Sequence, residues 1–247
     1  MRSLTRPRRR DALDARTRRY LIKKTREARL VPAHDPWIKR AWKTFRGTKA
    51  RSLIDQALDR FSFGKCAYCE QRDARDIEHF MPQSVYPSRM FAWENFLRAC
   101  STCNTAKSDQ FPLDPLGGRL LLEPCQDDPL DYFEWDLLTG ATGLNSQPDR
   151  YPLASNTRDM IDLDRESIRE ERRFKIENLT LLLELVVRQT PVQPKVRSLV
   201  QAHLSIIRPH LGIVRQLFLR PDPAYRDLIR EAQDKLPEIR KWIAPWL

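Results

Sequence analysis

Two closely spaced cysteine pairs are the residues of this chain best suited to binding a metal ion. Each pair has two residues between its thiols. That spacing lets both thiolates of a pair reach one ion, and two pairs complete the tetrahedral set of four sulfurs that holds structural zinc. The sequence therefore predicts a structural Zn²⁺ site formed by Cys66, Cys69, Cys100 and Cys103. The fifth cysteine, Cys125, is interpreted as an ordinary, partly buried thiol.

The segment between the two pairs carries an acid and a base side by side. Glu78 and His79 are adjacent, and the other three histidines of the chain lie outside this segment. A histidine ionises near neutral pH, which suits a general base that deprotonates a water molecule. A loop closed by zinc at both ends would hold such a pair rigidly. The alternative interpretation is a salt-bridged surface pair on a zinc-stabilised module without activity.

Further residues follow at fixed offsets and give the segment from 66 to 107 a recognisable pattern. It reads C-x2-C … [D/E]-H-x-x-P … W-x-N-[F/L]-x3-C-x2-C-N-x2-K. This pattern resembles the zinc-containing branch of the HNH endonucleases, whose catalytic fold is the ββα-metal module. The strings CAYCE, IEHFMP and ACSTCNTAKSDQFP are also similar to the HNH component of Septu-type bacterial anti-phage systems, which appears beside some retrons as well.

The resemblance implies a role for each matching residue. His79 would be the general base, and Glu78 with Asn104 would ligate a catalytic Mg²⁺ or Mn²⁺ that stabilises charge on the phosphate and leaving oxygen. Asn95 would orient the backbone or ring of His79, and Lys107 would contact a neighbouring phosphate. Neighbouring residues of a strand point to opposite faces, so a local twist or bulge at Glu78 is also implied.

The expected metal ligands depart from the family's commonest pattern. Glu78 stands where Asp or His is commoner, and Asn104 replaces a His. Both keep an oxygen donor, which suits a hard cation. Asp76 is interpreted as a surface carboxylate; the alternative is a spare carboxylate near the metal.

Positive charge is concentrated near the start of the chain. Residues 1–60 contain 19 Lys and Arg against 6 Asp and Glu, a local charge of +13, whereas the remaining residues contain 25 and 27, a charge of −2. Such a basic segment favours binding to nucleic acid through phosphate contacts, with Arg8, Arg9 and Arg10 as candidate contacts. The alternatives are a solvated arm, or a segment that docks on an acidic protein.

The sequence also narrows the class of function. The chain has only 7 glycines and lacks both common phosphate-binding glycine motifs, so we do not expect it to bind or hydrolyse ATP itself. No apolar run approaches the roughly 20 residues needed to span a bilayer, and no secretory signal is recognised, so we expect a cytoplasmic protein with no membrane partner.

Three functions fit these observations. The first is a metal-dependent endonuclease acting on DNA or RNA as the effector of an anti-phage system; resemblance to the Septu group implies a separate ATPase partner. The second is a non-catalytic zinc adaptor that recruits nucleic acid to a larger complex. The third is a restriction or repair nuclease that works alone.

The elements expected around this site are mostly helical. We predict a mainly α protein with a small α+β zinc-bound ββα-metal module and helical N-terminal and C-terminal regions. The predicted regions are a basic helical region over residues 1–61, the HNH module over 62–112, a short-strand and loop segment over 113–153 and a helical region over 154–247.

Several local patterns make this expectation specific. Residues 1–10 appear extended, helices are predicted over 11–30 and 53–61, and Asp-Pro pairs at 35–36 and 222–223 have the form of a helix cap followed by a first-turn proline. Two short strands are predicted, Arg119–Glu123 and Tyr132–Leu138, with turns near Gly140 and Gly143.

Overall fold

The fold was obtained as a computed structural model, which describes residues 1, 3–72, 74–145, 147 and 149–246. This part of the chain is mostly α-helical and contains two small antiparallel sheets of two strands each. The helices are α1 Arg9–Ala12, α2 Ala15–Ala28, α3 Pro36–Arg46, α4 Lys49–Ser62, α5 Ser101–Lys107, α6 Tyr151–Met160, α7 Glu166–Arg188, α8 Pro194–His203, α9 Leu211–Leu219, α10 Pro223–Lys235 and α11 Glu238–Ile243. The strands are β1 Asp76–His79, β2 Phe96–Ala99, β3 Phe133–Trp135 and β4 Thr142–Leu144.

Side-chain caps explain where the predicted helices begin. The Asp35 carboxylate accepts a hydrogen bond from the Trp37 amide at 2.7 Å, and Pro36 occupies the first turn of α3, as predicted. Asp222 caps α10 in the same way, at 2.8 Å from the Ala224 amide. The helix predicted over 11–30 is confirmed in its larger part as α2, and that over 53–61 lies within α4.

The N-terminal segment is extended up to α1, but it is not a solvated arm. Met1 and Leu4 are buried in the core. The guanidinium of Arg6 donates hydrogen bonds to the carbonyls of Trp93 and Phe96, and the Trp93 indole donates to the Pro7 carbonyl at 3.0 Å. This basic segment therefore fastens the turn that precedes β2, because its apolar and arginine side chains pack inward.

The sheet of β1 and β2 lies between helices on its two faces. It is a regular antiparallel pair in which Glu78 faces Leu97 and His79 faces Phe96. On one face α4 packs against β2, where the buried Arg98 pairs with Asp55 at 3.0 Å and with Asp59 at 2.8 Å. The other face meets α5, which follows β2 directly and begins after Cys100.

The segment over 113–153 contains one of the two strands predicted there. The prediction of a strand over Arg119–Glu123 is wrong. Arg119 forms only an isolated bridge to Leu113, and its guanidinium binds Asp127 in a loop. The second strand exists as β3 but is shorter than predicted. The backbone turns at Gly140, where φ is +72°, as expected.

Gly143 lies within β4 rather than in a turn. An added Cβ there would lie 2.4 Å from the Glu134 carbonyl of β3, so the glycine permits close approach of the two strands.

Helices α6–α11 form the C-terminal region, as predicted, with α7 packing against α8, α9 and α10. The buried apolar residues form one continuous cluster that draws on all four predicted regions. The boundaries of those regions stay a prediction. Within the described residues, no helix is long and apolar enough to cross a membrane.

Candidate active site and zinc site

The four predicted zinc ligands converge on one point. The Sγ atoms of the two pairs lie within 4.8 Å of one another, and those of Cys69 and Cys100 are 3.7 Å apart. Tetrahedral coordination with Zn–S bonds of about 2.3 Å places sulfurs roughly 3.8 Å apart. All five cysteines are free thiols. The cluster therefore fits a zinc ion, and this prediction is confirmed at the level of ligand geometry.

The surroundings of the cluster suit a site that carries negative charge. A zinc ion with four thiolates has a net charge of −2, and both terminal nitrogens of Arg165 lie 3.8 Å from the Cys103 Sγ. The first knuckle is closed by the Cys66 amide donating to the Gln71 carbonyl at 2.9 Å. Cys125 lies outside the cluster and is partly buried, as predicted, and burial raises the pKa of its thiol to about 11.

Glu78 points from β1 toward α5 and is almost wholly buried. Its Oε1 lies 2.6 Å from the Lys107 Nζ and accepts a longer hydrogen bond, 3.4 Å, from the Tyr68 hydroxyl. Burial raises the pKa of Glu78 to about 7, although the Lys107 ammonium favours the ionised form. A cation bound at this carboxylate would oppose the effect of burial.

Asn104 lies on the same side of the hairpin as Glu78. Its amide nitrogen donates to the Asp76 Oδ2 at 3.0 Å. Asp76 and Glu78 are two positions apart on β1 and therefore share a face. Three oxygen-bearing side chains thus line the contact of β1 with α5, and such donors suit Mg²⁺ or Mn²⁺. A surface role was expected for Asp76, with a place near the metal as the alternative, and strand alternation places it beside Glu78.

His79 points to the opposite face, toward α3. Its Nε2 lies 2.9 Å from the Met90 carbonyl. A carbonyl can only accept, so Nε2 carries the proton and Nδ1 is the basic nitrogen. The ring packs edge-on against Trp42 and Phe96, with centroids 4.6 Å and 5.4 Å away. Burial lowers the pKa of His79 to about 4, so its ring is neutral at physiological pH.

The bulge expected at Glu78 is absent. The register of β1 with β2 runs without interruption through Glu78 and His79, so ordinary strand alternation separates the two side chains. The expected pair is therefore two single residues on opposite faces of one thin hairpin.

Asn95 holds the loop after β1 rather than His79 itself. Its Oδ1 accepts from the Met81 amide at 2.8 Å, and its Nδ2 donates to the carbonyls of Met81 and Arg89 at 2.9 and 3.1 Å. Arg89 directly precedes Met90, the partner of the His79 ring. The expected contact with His79 is thus wrong in detail, and any orienting effect of Asn95 is transmitted through this loop.

The four basic residues expected to contact phosphate lie in different environments. Lys107 is fully buried, and its Nζ also donates to the His79 carbonyl at 2.9 Å. It lies one helical turn after Asn104, on the inward face of α5. Arg8, Arg9 and Arg10 lie at α1; within the described ranges none of them forms an ion pair with the hairpin, and Arg10 pairs with Asp11.

Comparison with known proteins gives partial matches to Septu proteins and to one retron protein. The chain is 30% identical over 112 residues to Septu protein PtuB of Bacillus mycoides, covering 33% of this chain and 38% of that protein. It is 24% identical over 155 residues to a Vibrio cholerae protein named as a candidate HNH endonuclease of retron Vc95, covering 57% and 70%. A third match is Septu protein PtuA of Bacillus mycoides, 28% identical over 113 residues and covering 34% and 16%.

These matches are partial. The chain spans well under two thirds of the length of the PtuB and PtuA relatives. No protein-family model matches it. Together with the four-cysteine cluster, the matches make the chain a distant relative of Septu protein PtuB and of the candidate HNH endonuclease of retron Vc95.

Proposed function

We propose that this protein is a metal-dependent HNH endonuclease that hydrolyses phosphodiester bonds in nucleic acid. The observation that carries the proposal is the arrangement of β1, β2 and α5 around the cysteine cluster. It places Glu78 and Asn104 at one strand–helix contact and gives the neighbouring His79 a fixed tautomer. We interpret this hairpin and helix as the ββα-metal module.

Each side chain has a task in this mechanism. His79 removes a proton from a water molecule through Nδ1, because the Met90 carbonyl holds the other ring nitrogen in its protonated form. Glu78 and Asn104, with Asp76 beside them, offer oxygens that could hold a divalent cation, Mg²⁺ or Mn²⁺. Such a cation, when bound, stabilises negative charge on the phosphate and the leaving oxygen. The Lys107 ammonium favours the ionised form of the Glu78 carboxylate and holds it in place.

Helix α3 offers a surface for the nucleic acid. Trp42, which contacts His79, is half-buried, and Lys39 and Arg46 lie three residues before it and four after it, on the same helical face. Both cations are exposed. We therefore assign the phosphate contacts nearest His79 to α3. Arg8, Arg9 and Arg10 could extend this surface, and Lys107 is excluded from it by its burial.

The relatives suggest a biological setting. Two Septu proteins and one retron protein match the chain, which supports a role as the effector of a bacterial anti-phage system. As part of the proposal, a separate ATPase works with this protein, which itself lacks a phosphate-binding glycine loop. Five free cysteines are consistent with the cytoplasmic location that we propose.

The second candidate is a non-catalytic zinc adaptor for nucleic acid. The burial of Glu78, Lys107 and His79 is the observation that favours it, since buried polar groups can serve the fold alone. An adaptor would bind nucleic acid and leave it intact.

A cleavage assay separates the two candidates and identifies the substrate. Plasmid, single-stranded DNA and tRNA are incubated with the zinc-loaded protein and Mg²⁺ or Mn²⁺, with and without the proposed ATPase partner. We expect cleavage of at least one substrate, and its loss in Glu78→Gln. Binding without cleavage under all these conditions would favour the adaptor.

A further inference from the structure

A cavity of about 270 Å³ lies between α7 and the loop that joins α8 to α9. None of its lining residues belongs to the proposed nuclease site. Lys175 and Arg208 supply positive charge to its wall, and Glu171 supplies negative charge. The wall also contains Phe174, Asn178, His203 and His210.

The cations of this cavity are only partly balanced. Lys175 is largely buried, and burial together with the nearby charges of Arg208 and Lys65 lowers its pKa to about 8. Its Nζ donates to the His203 carbonyl at 2.6 Å, and within the described part of the chain it forms no salt bridge. Glu171, the one carboxylate in the wall, already binds the His210 ring and the Gln71 amide, at 2.7 Å each.

His210 adds a polar atom that lacks a partner. The residue is 3% exposed, and its Nε2 lies 2.7 Å from the Glu171 carboxylate, which can only accept. Nε2 therefore carries a proton. Nδ1 is buried and has no hydrogen-bond partner among the described residues. Buried polar atoms in folded proteins are usually paired, and this unprotonated nitrogen can accept a hydrogen bond from a ligand or an ordered water.

The wall of the cavity also offers an aromatic face. Phe174 is 50% exposed, and the guanidinium of Arg173 lies 4.6 Å from its ring centroid. Exposed aromatic rings next to cations are platforms on which nucleic-acid bases stack. Asn178 lies one turn further along α7, and its Nδ2 donates to the Phe174 carbonyl at 2.7 Å. Its Oδ1 remains an acceptor suited to an amino group of a base.

We propose that this cavity binds the phosphoryl group of a nucleotide, either free or at the end of a nucleic-acid strand. Lys175 and Arg208 hold the phosphate, and the base lies on Phe174. The volume is below the roughly 300–1,000 Å³ of pockets that enclose a whole drug-sized ligand. The phosphorylated end therefore enters, and the base rests at the opening. A molecule without phosphate lacks the charge that the two cations require.

The test is calorimetric titration of the full-length, zinc-loaded protein with deoxyadenosine 5′-monophosphate, deoxyadenosine and inorganic phosphate. We expect the nucleotide to bind with a Kd below about 1 mM and the nucleoside at least about tenfold more weakly, a difference of roughly 1.4 kcal/mol. Lys175→Met and Arg208→Ala should each weaken nucleotide binding about tenfold or more. Lys195→Met is the matched control, because it removes an exposed charge from the first turn of α8 without touching the cavity.

Two further arms make the result decisive. Phe174→Leu should weaken the nucleotide but leave inorganic phosphate unchanged. Oligonucleotides with a 5′-phosphate or a 5′-hydroxyl, compared by fluorescence anisotropy, show whether a strand end is accepted as well as a free nucleotide. If Lys175→Met does not fold, the nucleotide affinity of Arg208→Ala provides the test, because Arg208 is exposed.

The proposal is overturned if neither the nucleotide nor the 5′-phosphorylated strand binds, or if the cavity variants bind as the wild type does. Binding should persist in His79→Ala, because the cavity does not depend on cleavage. A failure of the nuclease mechanism and a failure of this cavity are therefore separate results.

Discussion

Replacing Lys107 with methionine distinguishes a buried structural ion pair from a phosphate contact. The structure gives the ammonium no exposure and a partner, Glu78, at 2.6 Å. Removing one member of a buried pair costs up to about 3–5 kcal/mol, and the cost is largest above pH 7, where Glu78 would stay ionised without its partner. For a chain of about this size, each kcal/mol lowers Tm by roughly 2–4 °C, so we expect a decrease of roughly 6–20 °C.

The assay is urea and thermal unfolding followed by circular dichroism, without added divalent cation. Lys49→Met, which removes an exposed lysine at the start of α4, is the control and should change the stability by less than about 0.5 kcal/mol. The double variant Glu78→Gln with Lys107→Met should be more stable than Lys107→Met alone above pH 7, since no unpaired carboxylate remains. If Lys107→Met unfolds like the wild type and only binds nucleic acid more weakly, the ion-pair interpretation is refuted.

Two other substitutions test the zinc site and the hydrogen bonds by which Asn95 holds the loop after β1. Cys103→Ser should abolish stoichiometric zinc, measured by plasma emission spectrometry, and lower Tm, whereas Cys125→Ser should retain both; retained zinc in Cys103→Ser would contradict the four-cysteine site. Asn95→Ala removes three hydrogen bonds to Met81 and Arg89, which contribute about 0.5–1.5 kcal/mol each. Urea unfolding should therefore show that the free energy of unfolding falls by roughly 2–4 kcal/mol. A decrease below about 0.5 kcal/mol would show that these hydrogen bonds do not stabilise the fold.

Much of the fold and the metal site could be predicted from local sequence signals. The Cys-x-x-Cys pairs predicted the cluster because ligand spacing is a local constraint, and the helix starts at Pro36 and Pro223 followed from an aspartate directly before a proline. These signals act over a few residues, so they can be read from the sequence without knowledge of the tertiary fold.

The errors arose where distant parts of the chain decide the environment of a side chain. The positive charge of Lys107 suits a phosphate contact, but the fold buries this side chain in an ion pair with Glu78. The apolar run at Arg119–Glu123 resembled a strand, yet among the described residues it has only an isolated bridge to Leu113, and Asp127 holds it as a loop. Arg6 belongs to the basic segment that we predicted to bind nucleic acid, and the sequence does not show that its guanidinium packs on the rings of Trp93 and Phe61.

The face of each strand residue was more predictable than we expected. Alternation alone places Asp76 with Glu78 and separates both from His79, and the structure follows it. The family resemblance led us to expect a bulge, which the regular register excludes. The catalytic proposal must therefore operate with the base on one face of the hairpin and the cation ligands on the other.

Cleavage by His79→Ala tests the central claim most directly. The variant is compared with a control, His34→Asn, on the substrate identified above with Mg²⁺ or Mn²⁺. His34 is exposed, and its backbone has the left-handed conformation that asparagine tolerates. Loss of general-base catalysis predicts a rate lower by about 10²–10⁴-fold in His79→Ala, with zinc content and substrate binding retained, and an unchanged rate in the control. A His79→Ala protein that folds, binds zinc and cleaves at the wild-type rate would contradict the account.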